Sequence, residues 1–425
     1  MDDTEVLARM RADWNQRAAE DAYYYVAFGR RSQQTDEFFS SGADIVFHLE
    51  RELPRLRCRD AALEIGCGPG RLMRPMSRHF TEIHGIDVSD EMIRLARERL
   101  AGVANAFPHH GSGSDLGIFP NARFDFVYSY AVFQHIPSRE VVFHYLDEAW
   151  RVLKPGGVLR CQINGLPAHA RQYDTWSGVR IAPNEIREMA RARGWQLLGL
   201  EQIWTQYMWV TCRKPGGASP AAAPGTCSIR NVGNAFSGEG VAPAAGAQAA
   251  ISIWIGNLDP DADLNNLRIT ADGRDCRPIY VGEPAADGVS QVTAWLPEGL
   301  RTGLVPVEAI LRGEPAAAPA WVRIMPAPPA VPRIAALTDA INLMSGNRIA
   351  TRRVKVSLSD VNDAAGFDAA VDGRAALEID SFCTDPVEGR WEFNFLLPEE
   401  IAAGPHQVEL RLGRRKFAPI PIEVA

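Results

Sequence analysis

The sequence predicts a mixed architecture: an α/β domain on a mostly parallel seven-stranded sheet, followed by two all-β sandwich modules. Three observations carry that expectation. The first is a glycine-punctuated stretch, Ala61-Ala62-Leu63-Glu64-Ile65-Gly66-Cys67-Gly68-Pro69-Gly70, which reads as strand and turn before a helix and opens a strand–helix alternation. The second is a change of composition after Arg213-Lys214, where helical periodicity gives way to short alternating runs between Asn, Asp, Gly and Pro turns. The third is an internal repeat within that second half.

The bulk numbers agree with this organisation. A chain of 425 residues is long enough for several cores. With 46% hydrophobic and 23% charged residues it has an ordinary globular mix. A net charge of -7 argues against a polyanionic partner, so no nucleic acid is expected. Seven cysteines without CxxC or metal-like spacing predict buried free thiols and no metal centre. The acidic start Met1-Asp2-Asp3-Thr4-Glu5 lacks the apolar segment of a secretory signal, and no apolar run would span a bilayer. A cytoplasmic location without membrane contact is therefore the expectation.

In chain order, Glu5 to Phe28 is helical, with Val6, Met10, Trp14 and Arg17 on related faces. The cluster Tyr23-Tyr24-Tyr25 at its end reads as packing or as a flap over the glycine turn. A second helical stretch runs from Asp36 to Leu53 and is closed by Pro54. After the glycine turn a helix extends to His79, and Ile83 to Asp87 forms a strand ending in a carboxylate. Ser89-Asp90-Glu91 caps the next helix, which runs to Leu100. A weaker strand lies within Ala104 to His110, before the polar turn Gly111-Ser112-Gly113-Ser114-Asp115. Phe124 to Tyr130 is a strong strand, and Ser138-Arg139-Glu140 opens a helix to Leu153. Lys154-Pro155-Gly156-Gly157 turns into the strand Val158 to Ile163. A helix from Pro183 to Gly194 and two strands, Trp195 to Trp204 and Gln206 to Cys212, complete the domain.

Residues 215–225 have linker composition. Beyond them, Ala271-Asp272-Gly273-Arg274 returns as Val371-Asp372-Gly373-Arg374, and Leu296-Pro297-Glu298 returns as Leu397-Pro398-Glu399. Val307-Glu308-Ala309-Ile310-Leu311 returns as Val408-Glu409-Leu410-Arg411-Leu412. A period of roughly 100 residues is the size of one β sandwich, which predicts immunoglobulin-like modules at 226–326 and 330–425 after an independent first domain, 1–214. Their tryptophans, Trp254, Trp295, Trp321 and Trp391, are expected in cores. Such modules bind, space or dimerise, so self-association or protein contact through them is expected.

The glycine turn suits a nucleotide-like cofactor, either a nicotinamide dinucleotide or S-adenosylmethionine. The dinucleotide pattern G-x-G-x-x-G needs a third glycine where this chain has Arg71. Glu64, just before the turn, would repel a pyrophosphate yet suits an ammonium and a sulfonium.

On these residues the first 214 positions resemble the class I S-adenosylmethionine-dependent methyltransferases. Leu63 to Gly70 is similar to the family's first motif, Gly85-Ile86-Asp87-Val88-Ser89 to its acidic second-strand end, Phe124 to Ser129 to its fourth strand, and Leu153 to Gly157 to the turn before its fifth. The resemblance implies a Rossmann-like methyltransferase fold and S-adenosylmethionine as cofactor. It implies that Gly66, Gly68 and Gly70 wrap the methionine portion, that Glu64 supports its amino group, and that Asp87 takes the ribose hydroxyls. Val88 and Met92 would line the adenine, Ser112, Gly113 and Ser114 would stand in for the family's adenine-reading acid, and Ser129 would border the methyl.

Methyl transfer from a sulfonium is mainly a matter of alignment. His135, after the fourth strand, is the candidate base, followed by His169 in the loop Asn164 to Gly178 with Arg171, Tyr173 and Trp176. The acceptor is expected to be a small molecule or glycan-like group. Two rivals stay open: a NAD-dependent oxidoreductase, and a non-catalytic S-adenosylmethionine-binding adaptor acting through its β modules.

Overall fold

A computed structural model of the chain describes residues 3–27, 31–168, 173–216, 226–327, 330–343, 345–385 and 389–425. It divides into two compact units: Met1–Ala22 with Asp36–Ala327, and Tyr23–Thr35 with Pro328–Ala425.

The first unit opens with helix α1 (Asp3–Ala27), kinked at Asp21, then α2 (Thr35–Ser40) and α3 (Ala43–Glu50). The sequence suggested one helix from 36 to 53. It breaks at Ser41-Gly42, where the Ser41 hydroxyl donates to Phe38 O and Leu72 and Arg71 crowd Gly42. The α/β alternation follows as β1 (Ala61–Ile65), α4 (Met73–Met76), β2 (Glu82–Asp87), α5 (Asp90–Arg99), β3 (Ala106–His110) and β4 (Phe124–Ser129). It continues as α6 (Arg139–Val152), β5 (Leu153–Ile163), α7 (Pro183–Arg193), β6 (Gln196–Glu201) and β7 (Met208–Arg213). Helix α4 is shorter than the run to His79 that the sequence suggested. Pro75 inside it has no N–H to give to Arg71 O, and a 3-10 turn covers Ser77–His79. Strands β1 and β4 are buried throughout, as the centre of a doubly covered sheet must be. Strand β1 pairs parallel with β2 and β4, and β7 runs antiparallel to β5 and β6.

The sheet does not end at β6. The first β module contributes β8 (Ser228–Asn234), β9 (Val241–Pro243), β10 (Ala250–Gly256), β11 (Leu267–Ala271) and β12 (Arg274–Asp275). Then come β13 (Arg277–Val281), β14 (Val289–Trp295), β15 (Gly303–Leu311), β16 (Glu314–Pro315) and β17 (Ala320–Met325). Strand β13 pairs antiparallel with β6 at Tyr280–Gly199, giving one sheet of eleven strands in the order β3-β2-β1-β4-β5-β7-β6-β13-β14-β10-β8. The seam is strongly polar. Arg55 Nη2 donates to Val281 O at 2.7 Å, Arg55 and Arg213 share Glu283, and Arg187 Nη2 reaches Pro278 O at 3.1 Å. Leu264 N donates to Leu197 O at 2.9 Å.

The second unit holds β18 (Arg333–Asp339), β19 (Arg348–Ile349), β20 (Arg353–Ser359), β21 (Phe367–Val371) and β22 (Arg374–Ala375). It ends with β23 (Leu377–Asp385), β24 (Arg390–Leu396), β25 (Gly404–Leu412), β26 (Arg415–Lys416) and β27 (Ile420–Val424). Its two sheets enclose Val354, Val356, Phe393, Phe395 and Val408. Buried Asp339 ends β18, and its carboxylate accepts from Ile341 N, Asn342 N, Ala350 N, Thr351 N and Thr351 Oγ1, each at 2.8 Å. Tyr24 is buried here, its hydroxyl donating to Ile341 O at 2.9 Å, which is the packing role.

Trp321 is not a core residue: it is 59% exposed on the outer face of β17, while Trp254, Trp295 and Trp391 are half-buried. Cys67, Cys161, Cys212 and Cys276 are buried free thiols, but Cys58 is exposed and Cys227 and Cys383 are half-buried. Among the described residues no helix is long and apolar enough to cross a membrane.

Candidate functional site

The carboxyl ends of β1, β2 and β4 converge on the glycine turn. Gly66, Gly68 and Gly70 all adopt positive φ, at 72°, 50° and 84°, so the backbone follows a path that side chains resist. Packing closes the same positions. A Cβ on Gly66 would lie 2.3 Å from Val132, and one on Gly70 2.6 Å from Leu100. Between them Cys67 packs against Gly85, and burial pushes its thiol well up, which removes it as a nucleophile at neutral pH.

Glu64 is buried at the end of β1 and accepts the Tyr128 hydroxyl at 3.0 Å. Burial raises its carboxyl to about 8, against the opposing pull of Tyr128 and Arg71. Arg71 is itself buried and held down by desolvation. It is flanked by the rings of Tyr130 and Phe38, and its Nη1 donates to Ser41 Oγ at 3.2 Å. Its Nε has no hydrogen-bond partner among the described residues. A carboxyl and a guanidinium with an unsatisfied N–H thus meet at one turn, and a zwitterion would satisfy both.

Asp87, ending β2, accepts Gly68 N and Ser89 N, both at 2.9 Å, one on each carboxylate oxygen. Each oxygen keeps further lone-pair capacity for a pair of hydroxyls. Burial lifts its carboxyl above the usual range despite these bonds. Val88 flanks Gly113, where a Cβ would sit 2.8 Å from it. Met92 is buried, and its N–H completes the Ser89 cap of α5. Exposed Ser112 holds its turn together, accepting from Ser114 N and Asp115 N and donating to Asp115 Oδ2 at 2.7 Å. Ser129 is fully buried, and its hydroxyl donates to Ile65 O at 2.9 Å. That bond ties β4 to β1 instead of facing outward.

Helix α1 spans both sides of this cluster. Arg11 pairs with Asp90 at 2.8 Å, and Asn15 Oδ1 accepts Ser89 Oγ at 2.7 Å. Two residues on, Arg17 donates to Thr175 O at 3.0 Å and lies over Trp14 and Trp176. His135 sits beneath them, edge-on to Trp14 at 5.4 Å, with Nδ1 donating to Trp176 O at 3.1 Å. Burial depresses its pKa to about 4, so the ring is neutral at physiological pH. Its neighbour Ala131 holds a positive φ of 56°, a strained conformation just past β4.

The turn therefore gathers Glu64, Gly66, Gly68, Gly70 and Asp87, with Val88, Met92 and the 112–114 turn along the β2 side. His169 and Arg171 lie outside the described residues. Sequence reasoning missed Arg71, Tyr128 and the α1 contacts of Arg11 and Asn15. Among the described residues no cluster of three or more His, Cys, Asp or Glu side chains could hold a metal ion.

The methyltransferase domain family profile matches residues 63–161, which run from β1 to β5. A trans-aconitate 2-methyltransferase of Afipia carboxidovorans is 35% identical over 134 residues, 29% of this chain and 46% of that protein. The chain thus spans about half the length of such curated relatives. A malonyl-[acyl-carrier protein] O-methyltransferase of Salmonella typhimurium is 31% identical over 193 residues, 42% of this chain and 70% of that protein. The structure of Haemonchus contortus phosphoethanolamine N-methyltransferase 1 with phosphoethanolamine and S-adenosylhomocysteine aligns at 16% identity and a TM-score of 0.40, covering 52% of each chain. With the Salmonella enzyme matched over more than two thirds of its length, and the four ordered motifs lying on the strands and turns described above, the chain belongs to the class I S-adenosylmethionine-dependent methyltransferases.

Proposed function

We propose that the protein transfers a methyl group from S-adenosylmethionine to a carboxylate oxygen of a small acid. The observation that carries the cofactor part of this reading is the zwitterion-shaped pair at the glycine turn, Glu64 with the unsatisfied Arg71 Nε, beside the diol-ready carboxylate of Asp87. Bound there, the cofactor supplies an electrophilic methyl on sulfur.

The chain's own residues then do three things. Glu64 takes the ammonium and Arg71 the carboxylate of the methionine end. Asp87 accepts the two ribose hydroxyls while Gly68 N and Ser89 N hold it in place. Val132, whose side chain leaves no room for a Cβ on Gly66, fixes the path of the glycine turn that would hold the methionine end.

His135, the expected base, is buried and neutral with Nδ1 committed to Trp176 O. It acts as a positioning residue joining the loop after β4 to the loop at 173–178. With its Nε2 facing Gln134 Nε2 at 3.5 Å and its basicity lowered by burial, this histidine is a poor proton acceptor, which suits an acceptor that arrives ionised, and a carboxylate needs no general base. The names of two relatives, a trans-aconitate 2-methyltransferase and a malonyl-[acyl-carrier protein] O-methyltransferase, support the same choice.

The test is methyl transfer from labelled S-adenosylmethionine to a panel of small carboxylic acids and to their amide or alcohol analogues. Label in base-labile esters of the acids alone is expected. Label only in amines or alcohols would overturn the carboxylate, and S-adenosylhomocysteine binding without any transfer would overturn the activity.

A further inference from the structure

The two β modules are repeats, and the first shows what the corresponding edge of the second can do. Their sheets follow the same order, β13-β14-β10-β8 and β23-β24-β20-β18, so β23 stands where β13 stands. In the first module the outer edge of that strand is taken by an antiparallel strand of the same chain, at Tyr280–Gly199. Among the described residues nothing pairs with the outer edge of β23.

That edge is built to pair. It has nine residues where β13 has five and no proline or lysine; its acids Glu378 and Asp385 and its two register breaks confine the open stretch to Asp380–Cys383. Leu377, Ile379 and Phe382 are 44%, 40% and 40% exposed. Ser381 N donates to its neighbour Asp380 Oδ1 at 2.8 Å, so the Ser381 amide points away from β24 and is held by a side chain on the open edge. Its carbonyl shares that side, because N–H and C=O of one strand residue face the same neighbour.

We propose that β23 is a dimer edge, pairing antiparallel with β23 of a second copy about a two-fold axis at Ser381. The two Ser381 residues exchange both backbone hydrogen bonds, displacing the Asp380 side chains. This register sets Asp380 opposite Phe382, and Glu378, at a positive φ of 50° in the break before Asp380, lies outside the regular paired stretch, so no acid directly faces an acid within it. Glu378 is already matched by Arg353 at 2.8 Å. Register breaks on both sides of Asp380–Cys383 keep the paired stretch short. The contact is isologous and uses the edge of both chains, so assembly stops at two.

Sedimentation of the full chain over a range of concentrations tests this, with a concentration-dependent dimer expected. Ser381→Pro removes the outward amide without touching the β24 ladder and should weaken the dimer by about tenfold or more. Phe382→Lys should act in the same direction, and Asp380→Ala, which frees the amide, should tighten it. In a Cys383→Ser background, Ser381→Cys should cross-link the dimer on mild oxidation, whereas Phe382→Cys, with its own copy two residues off, should not. A chain monomeric throughout, a dimer indifferent to both Ser381→Pro and Phe382→Lys, or a dimer that Ser381→Cys cannot cross-link would each overturn the proposal.

Discussion

Glu64 makes a pH-dependent prediction that separates the free protein from the cofactor-bound one. Its carboxyl rises from the ordinary range to about 8 in the fold, so between those values the folded state holds a proton that the unfolded chain releases. Stability from this group is complete below the unfolded pKa and is lost as pH rises through about 8. Thermal unfolding of the cofactor-free protein should therefore show a decline across that window which Glu64→Gln flattens. Cofactor affinity runs the other way, rising with pH until Glu64 ionises, because an ammonium needs the charged carboxylate. Asp87→Ala should weaken S-adenosylhomocysteine binding by about 1.5–3 kcal/mol in calorimetry, the worth of hydrogen bonds to a charged group. These two acids were legible from the sequence because motif position alone names them. Arg71 was not, since its meaning depends on burial between Tyr130 and Phe38, and those rings come from distant stretches of chain. His135 was legible as a residue, whereas its enclosure by Trp14 and Trp176 comes only from packing.

At the scale of elements, the glycine turn and the β18 end show how strictly local backbone is specified. Gly66→Ala combines a left-handed φ with a clash against Val132, and should destabilise by about 1–3 kcal/mol in denaturant unfolding. Pairing it with Val132→Ala should recover the steric share and leave the backbone share. Asp339 offers a complementary case. Asn234, at the end of β8 in the first module, accepts Phe236 N and Ser237 N and donates Nδ2 to Gln248 O. In the second module every contact at the corresponding carboxylate is a donor, so Asp339→Asn would turn an N–H towards Ala350 N or Thr351 N. A loss of about 1–3 kcal/mol is expected. Backbone donors hold the Asp339 pKa below its ordinary value although burial opposes them. Its contribution should fade as pH falls through that lowered value, and the variant should lack this acid sensitivity. The repeat that exposes this pair was readable from Asp272-Gly273 and Asp372-Gly373, but the exchange of amide for carboxylate was not.

For the whole molecule, the legible part was the order of strands and helices, because buried parallel strands and capped helices leave strong periodic signals. What the linker composition of 215–225 hid was the return of the chain to β6. Strand β6 is apolar on both faces, as any strand of this sheet would be, and nothing in Gln196–Glu201 marks its edge as taken. A fragment ending at Lys214 would bare that edge and strip Arg55, Arg187 and Arg213 of Val281 O, Pro278 O and Glu283. We expect it to aggregate or to unfold at a markedly lower temperature than a fragment ending at Ala327, which should retain S-adenosylhomocysteine binding in calorimetry. Equal stability and binding of the two fragments would show that the first module is dispensable.

The β6–β13 junction also sets a schedule for biosynthesis. The ribosome releases every strand of the α/β domain before Tyr280 exists, so the nascent fold carries an unsealed edge until the first module has been translated and has turned back. During that interval the strand most exposed to mispairing is the one that the finished protein hides, and slow translation or a truncated message would prolong it.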